Sequence, residues 1–237
     1  IASYGADLPG KPDLAALLEQ LLGENPEVRF RLGSLEPRIA EPDFCERLKA
    51  YPNLAPHFHL SLQSGCDSVL RRMHRRYDTA LYRQNAALLR TAFPDCSLTT
   101  DLIVGFPGET EQEFLQTLDF IRQCGFAAVH VFPYSVRVGT PAAQMSGQIP
   151  RAVRQERAER AKAVAAACGE QYRRSFLGRT LDVLLEHPLP GGLWSGHTPY
   201  AFPVYVPIQG HGLKNTPCTV RLTALYQEGI LGEPEIP

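Results

Sequence analysis

The sequence predicts an α/β protein in which part of a βα barrel is followed by a small antiparallel β-barrel. Three observations lead there. Short strands carry one apolar and one polar face, helical segments separate every pair of them, and after Phe176 the runs shorten and are broken by Pro and Gly. The most informative strand ends at Val104, at the turn Gly105-Phe106-Pro107-Gly108, and the chain then enters a helix. Strand side chains alternate with period two, so Leu98, Thr100, Leu102 and Val104 share one face and Ser97, Thr99, Asp101 and Ile103 the other. A carboxylate in mid-strand must be hydrogen-bonded or line a wet cavity, because burying it alone is costly. Asp101 is therefore a site candidate.

Two further strands repeat the pattern. Between His57 and Gly65, the residues Phe58, Leu60 and Leu62 face one way and His57, His59, Ser61 and Gln63 the other. Val129 and Val131 likewise oppose His130, Phe132 and Tyr134. A parallel strand buried on both faces would read as nearly continuous Val, Ile and Leu. One polar face suits a barrel or half-barrel whose lumen holds a polar ligand. A half-solvated antiparallel sheet gives the same alternation, but the intervening helices favour βα units.

In chain order, Leu14, Leu17, Leu18, Leu21 and Leu22 give a helix after Pro12, then a strand is expected over Val28 to Leu32. A helix from Pro42 to Ala50, the His57 strand, and helices over Asp67 to Met73 and Ala80 to Thr91 follow. The helix from Thr110 to Cys124 carries Glu111 and Glu113 at its positive end. Alternation at this interval predicts right-handed parallel βαβ units. Pro150 opens the longest helix, to about Arg174, with Val153, Ala161, Val164, Ala165, Cys168 and Tyr172 as its apolar stripe. The expected divisions are 1–149, a connecting basic helix over 150–175, and the small barrel over 176–237.

Net charge is -1 over 237 residues, so no global basic field announces nucleic acid. No apolar run approaches the ~20 residues of a membrane span. The six cysteines are scattered without a CxxC spacing, which with no signal-peptide pattern points to reduced thiols in a cytoplasmic protein. Ile1 to Gly5 reads as a strand end entering a loop, and the chain as a fragment missing upstream sequence.

The strings RLGSLEP (Arg31 to Pro37), HLSLQSG (His59 to Gly65), MHRRY (Met73 to Tyr77), TTDLIVGFPGET (Thr99 to Thr110) and YSVRVGTPAA (Tyr134 to Ala143) resemble successive strand ends of the methylthiotransferase branch of radical S-adenosylmethionine (SAM) enzymes. FLGRTLDVLLE (Phe176 to Glu186) and SGHTPY (Ser195 to Tyr200) resemble that branch's TRAM domain, a small RNA-binding β-barrel. The resemblance implies a partial TIM-like barrel, SAM as cofactor, two [4Fe-4S] clusters in the full-length enzyme, an electron donor such as flavodoxin, and the tRNA anticodon stem-loop as partner. Within the branch, Leu35-Glu36-Pro37, Leu60 to Gly65 and Gly196-His197-Thr198 resemble the enzymes that methylthiolate threonylcarbamoyladenosine, rather than those acting on isopentenyladenosine or on a ribosomal protein. The family's CxxxCxxC loop is missing, so no catalytic or metal-ligating residue is assigned and the chain alone is expected to be inactive.

Carried over residue by residue, the resemblance implies cofactor contacts from Ser34, Glu36, Gln63, Ser64, Gly65, Arg76, Asp101, Ile103, Gly105 and Pro107. Gln63 and Ser64 would face the lumen, Arg76 would pair the methionine carboxylate as guanidinium groups do, and the Gly105 to Gly108 backbone would approach the adenine. Tyr134, Arg137, Arg151 and Arg154 are the expected substrate contacts. The arginine-rich stripe of the long helix and the cluster Arg71 to Arg76 are candidate phosphate contacts, although either is also an ordinary solvated face. Trp194, Tyr200, Phe202 and Tyr205 are candidate stacking residues or core. Two rival readings remain. His57, His59, His130 and Asp101 would serve a metal-dependent hydrolase, and the chain as a whole would serve as a non-catalytic tRNA-binding piece.

Overall fold

The computed structural model describes residues 3–208, 210 and 212–235. It divides into two compact units, one up to Cys168 and one from Gly169. The first is built on strands β1 (Ser34–Leu35), β2 (His57–Leu60), β3 (Ser97–Val104) and β4 (Ala128–Pro133), all parallel in the order β1-β2-β3-β4. Between them run α1 (Leu14–Glu24), α2 (Pro42–Leu48), α3 (Asp67–Arg72), α4 (Thr79–Ala92) and α5 (Glu111–Cys124), and after β4 come α6 (Pro141–Gln144) and α7 (Arg151–Arg174). The helix ends follow local chemistry. Asp13 and Asp78 accept from Ala16 N and Leu81 N, each at 2.8 Å, Thr110 and Glu113 form a capping box, and Gly125 ends α5 at φ 58°. The apolar strand faces (Phe58, Leu60, Leu98, Leu102, Val104) are buried with Phe114, Ile121 and Phe126.

The strand expected over Val28 to Leu32 is not formed. Phe30 makes one pair of bridging bonds, to Asn53 O and from Ala55 N, both 2.8 Å. β2 stops at Leu60 rather than reaching Gly65, because side chains replace the ladder beyond it. Thr100 Oγ1 donates to Leu60 O at 2.5 Å and accepts from Leu62 N at 2.8 Å, while the Tyr77 hydroxyl donates to Ser61 O and Leu62 O at 2.8 and 3.0 Å. Buried backbone groups need partners of some kind, and these suffice. Of the expected strand end at Ile1 to Gly5, residues 3–5 lie in a turn and Ile1 and Ala2 fall outside the described residues.

The second unit closes β5 (Thr180–Leu189), β6 (Leu193–His197), β7 (Pro203–Pro207), β9 (Gly229–Pro234) and β8 (Thr216–Tyr226) into a barrel in that spatial order. The expected all-antiparallel pairing fails at one seam, where β7 and β9 run parallel. The reason is parity: a closed ring with an odd number of strands cannot alternate throughout. Val183, Leu185, Val204, Val206, Val220, Leu222 and Ile230 fill the interior with Phe176, Trp194 and Phe202. Those last two are core, so of the candidate stacking aromatics only Tyr205 lies outside this cluster, edge-to-face with Tyr226 at 5.0 Å.

Gly65 sets how closely α5 approaches the sheet. A Cβ there would lie 2.7 Å from Phe120 Cβ and 3.0 Å from Thr117 Cα. Gly65→Ala is expected to lower stability by about 1–3 kcal/mol, as overpacking does, read as a lower urea midpoint at unchanged m-value.

Candidate cofactor cavity

A cavity of about 480 Å³ opens at the C-terminal ends of the strands, the end at which βα folds place ligands. Gln63, Asp101 and Ile103 line it from the sheet, and Phe132, Tyr134 and Arg137 from the end of β4 and the loop beyond. Gln63 has φ 67°, a left-handed backbone uncommon outside Gly. It is pinned there by its N–H to Asp101 O and its carbonyl from Ile103 N, both 2.9 Å. The Tyr134 hydroxyl is buried and, among the described residues, has no hydrogen-bond partner.

Asp101 continues into a polar row across the same sheet face. Asp101 Oδ2 lies 3.3 Å from His59 Nε2, His59 Nδ1 lies 3.1 Å from Thr99 Oγ1, and that hydroxyl lies 3.3 Å from His57 Nε2. His130 is the register partner of Asp101, and its ring stacks 5.9 Å from that of His59. Burial, reinforced by Arg31 and His59, pushes the His57 imidazole down to about 4. The polar strand faces therefore meet, as their alternation required.

A second layer holds the cavity from behind. Glu109, in the turn after β3, is buried and accepts from Gly105 N at 2.8 Å and from Arg157 at 2.7 Å. Arg157 Nη1 also donates to Glu109 O at 3.0 Å. Burial pushes the Glu109 carboxyl up, against the pull of the Gly105 N–H and Arg157. Arg154 donates to Tyr134 O, and a Cβ on Gly105, which sits at φ 73°, would collide with its aliphatic stem. Glu113 ties α3 to α5 by accepting both Arg72 nitrogens at 2.9 and 2.8 Å and the Ser68 hydroxyl.

Several residues sit elsewhere than the sequence suggested. Ser64 does not face the lumen: it is buried against α5, 3.3 Å from Thr117 Oγ1, because Gln63 turns the chain there. Gly65 packs against the same helix. Gly105 is covered by Arg154 and Pro107 is buried; Gly108 is exposed, but no residue of that turn lines the cavity. Ser34 and Arg76 are exposed and Glu36 pairs with Arg38 at 2.6 Å; none of the three lines the cavity. Arg151 is exposed, whereas Arg154 is held inside the first unit. The long helix is not an open basic stripe, since Arg160, Lys162 and Arg174 pair with Glu111, Glu159 and Glu170 at 2.7, 2.9 and 2.6 Å. The sequence pattern gives Glu109 no role and leaves Arg157 within a stripe that is either phosphate-binding or a solvated face, whereas the fold buries it. A carboxylate inside an otherwise apolar turn was the available signal. Nor do the histidines form a metal centre: among the described residues no three His, Cys, Asp or Glu side chains group so as to hold an ion.

A parallel α/β sheet with a cavity at its strand ends is an arrangement that ligand-binding βα proteins use, and comparisons with known proteins specify the family. The chain belongs to the radical SAM superfamily, whose family model matches residues 1–121. It is 35% identical to the threonylcarbamoyladenosine tRNA methylthiotransferase MtaB of Thermotoga maritima over 98% of this chain and 52% of that protein. It is 39% identical to the tRNA-2-methylthio-N(6)-dimethylallyladenosine synthase of Chloroflexus aurantiacus over 84% of this chain and 43% of that protein. The chain thus spans about half the length of the curated relatives it matches. The structure of coproporphyrinogen III oxidase (HemN) from Escherichia coli, described as a radical SAM enzyme, shares the fold at TM-score 0.53 and 22% identity, over 70% of this chain and 38% of that one.

The superfamily implies SAM and an iron–sulfur cluster. The cavity fits the first, offering an unpartnered buried hydroxyl, a carboxylate and an amide at a volume suited to a nucleoside-sized ligand. This chain does not fit the second: Cys45, Cys66, Cys96, Cys124 and Cys168 are buried apart from any metal-competent group.

Two outcomes are expected. Arg157→Ala leaves Glu109 buried without its partner and is expected to cost about 3–5 kcal/mol, whereas replacing both residues by Met costs less; chemical denaturation of the single and double variants measures both. His57 titrates lower when folded than when unfolded, so stability is complete above about 6.5 and falls as pH drops toward about 4. His57→Gln is expected to flatten that part of the melting-temperature profile.

Proposed function

We propose that the whole protein, of which this chain spans part, methylthiolates C2 of N6-threonylcarbamoyladenosine at position 37 of tRNA. The observation that carries the reading is the convergence of Gln63, Asp101, Ile103 and Tyr134 on one cavity at the strand ends. Residues 1–149 then form the C-terminal part of the barrel, 150–175 the connecting helix, and 176–237 a TRAM-like RNA-binding barrel. A closed five-stranded barrel is an architecture that oligonucleotide-binding folds use, and the Tyr205–Tyr226 pair gives it an aromatic surface. The choice of threonylcarbamoyladenosine rests on Leu35-Glu36-Pro37 and Gly196-His197-Thr198, and on likeness to the Thermotoga maritima relative over 98% of the chain. Isopentenyladenosine is the second reading, favoured by likeness to the dimethylallyladenosine synthases.

SAM supplies the radical and methyl chemistry when bound. The chain's residues bind and orient: Asp101 accepts from ligand hydroxyl or N–H groups, Gln63 supplies an amide, and Ile103 offers an apolar wall. Such positioning, with water kept out, is what radical chemistry asks of a protein. Without cluster ligands, this chain alone is inactive in turnover, and electrons reach the whole enzyme from a donor such as flavodoxin in the cytoplasm.

Equilibrium dialysis of the 237-residue chain against S-adenosylhomocysteine tests the cavity. Gln63→Ala and Asp101→Asn are each expected to weaken binding about tenfold, the scale of one lost hydrogen bond, with Arg122→Gln unchanged. Equal affinity in all four proteins would reject the assignment.

A further inference from the structure

We propose that Arg137 determines specificity by reading a free carboxylate on the N6 substituent of the target adenosine. The inference rests on the cavity being a nucleoside site and goes on to name the chemical group that one wall selects.

Charge placement carries the argument. Several arginines of the first unit are engaged, Arg72 with Glu113, Arg157 with Glu109, Arg160 with Glu111 and Arg154 with Tyr134 O, and the exposed Arg76 and Arg151 do not line the cavity. Arg137 differs. It is the cationic side chain on the cavity wall, and among the described residues its guanidinium makes no ion pair. The loop is nevertheless fixed, because Arg137 O accepts from Thr140 N at 3.2 Å and Thr140 Oγ1 at 2.8 Å, with Gly139 at φ 86°. The carboxylate on the wall, Asp101, already has His59 at 3.3 Å. Arg137 is thus the cation of the wall that, among the described residues, has no ion pair, and it is placed to meet a ligand that brings an anion.

The remaining wall fits the rest of such a ligand. Phe132, on the same side of the cavity as Arg137, is 51% exposed although it is aromatic, and it offers a flat apolar surface to a purine. A guanidinium binds a carboxylate through two parallel bonds. An uncharged isopentenyl group gains nothing from Arg137, but since that side chain is exposed it is not repelled either. Discrimination thus comes from an added attraction rather than exclusion.

Dialysis of the 237-residue chain against N6-threonylcarbamoyladenosine, its methyl ester and N6-isopentenyladenosine is the test. The ester removes the charge and little else. The native chain is expected to prefer the acid over the ester about tenfold, less so at high salt. Arg137→Gln should bind acid and ester alike, Arg137→Lys should retain part of the preference, and both should keep the native unfolding midpoint. Equal binding of acid and ester by the native chain, or a preference surviving in Arg137→Gln, overturns the proposal while leaving the cavity assignment intact. So does a variant whose only loss is affinity for S-adenosylhomocysteine relative to 5′-methylthioadenosine, which would give Arg137 to the cofactor. Absence of binding by any adenosine ligand overturns both readings.

Discussion

The buried pair of Glu109 and Arg157 is the constraint on which the site depends. Glu109 occupies the N–H of Gly105, fixing the turn that ends β3, and Arg157 supplies the charge that lets a carboxylate stay there. With Arg154 on Tyr134 O, helix α7 grips the ends of both strands whose side chains line the cavity. Buried ion pairs add little net stability compared with apolar packing, but breaking one is expensive. What the pair provides is geometry: two strand ends held at one spacing.

Seen from the cavity, the same logic recurs at smaller scale. His59 lies beside Asp101, Thr99 holds His59, and the ring of His130 stacks against it. Thr99 on β3 lies within hydrogen-bonding distance of both His57 and His59 on β2, which parallel pairing in register makes possible. The apolar faces of those strands meet the helices and carry the core. One alternating pattern thus builds the packing on one side and the binding surface on the other.

Alternation was legible in the residues, as were the helices with Asp and Thr caps and the shift in texture that marks the small barrel. Three kinds of feature were not. The end of β2 is decided by the Thr100 hydroxyl on a neighbouring strand, and nothing local to Leu60 announces it. Arginines on α7 look alike in sequence; only the tertiary fold separates exposed Arg151 from buried Arg157. Ser64 shared a motif with Gln63 but not its direction, because the backbone reverses hand between them and strict alternation fails. Where ladder hydrogen bonds govern, the pattern reads directly; where one side chain substitutes for the ladder, it does not.

The left-handed backbone of Gln63 has a consequence for ligand capture. Conformational cost at that residue is met during folding, since two hydrogen bonds to β3 hold it whether or not anything occupies the cavity. The backbone that carries the Gln63 side chain is therefore set before anything enters the cavity, so its ordering cost does not fall on association there.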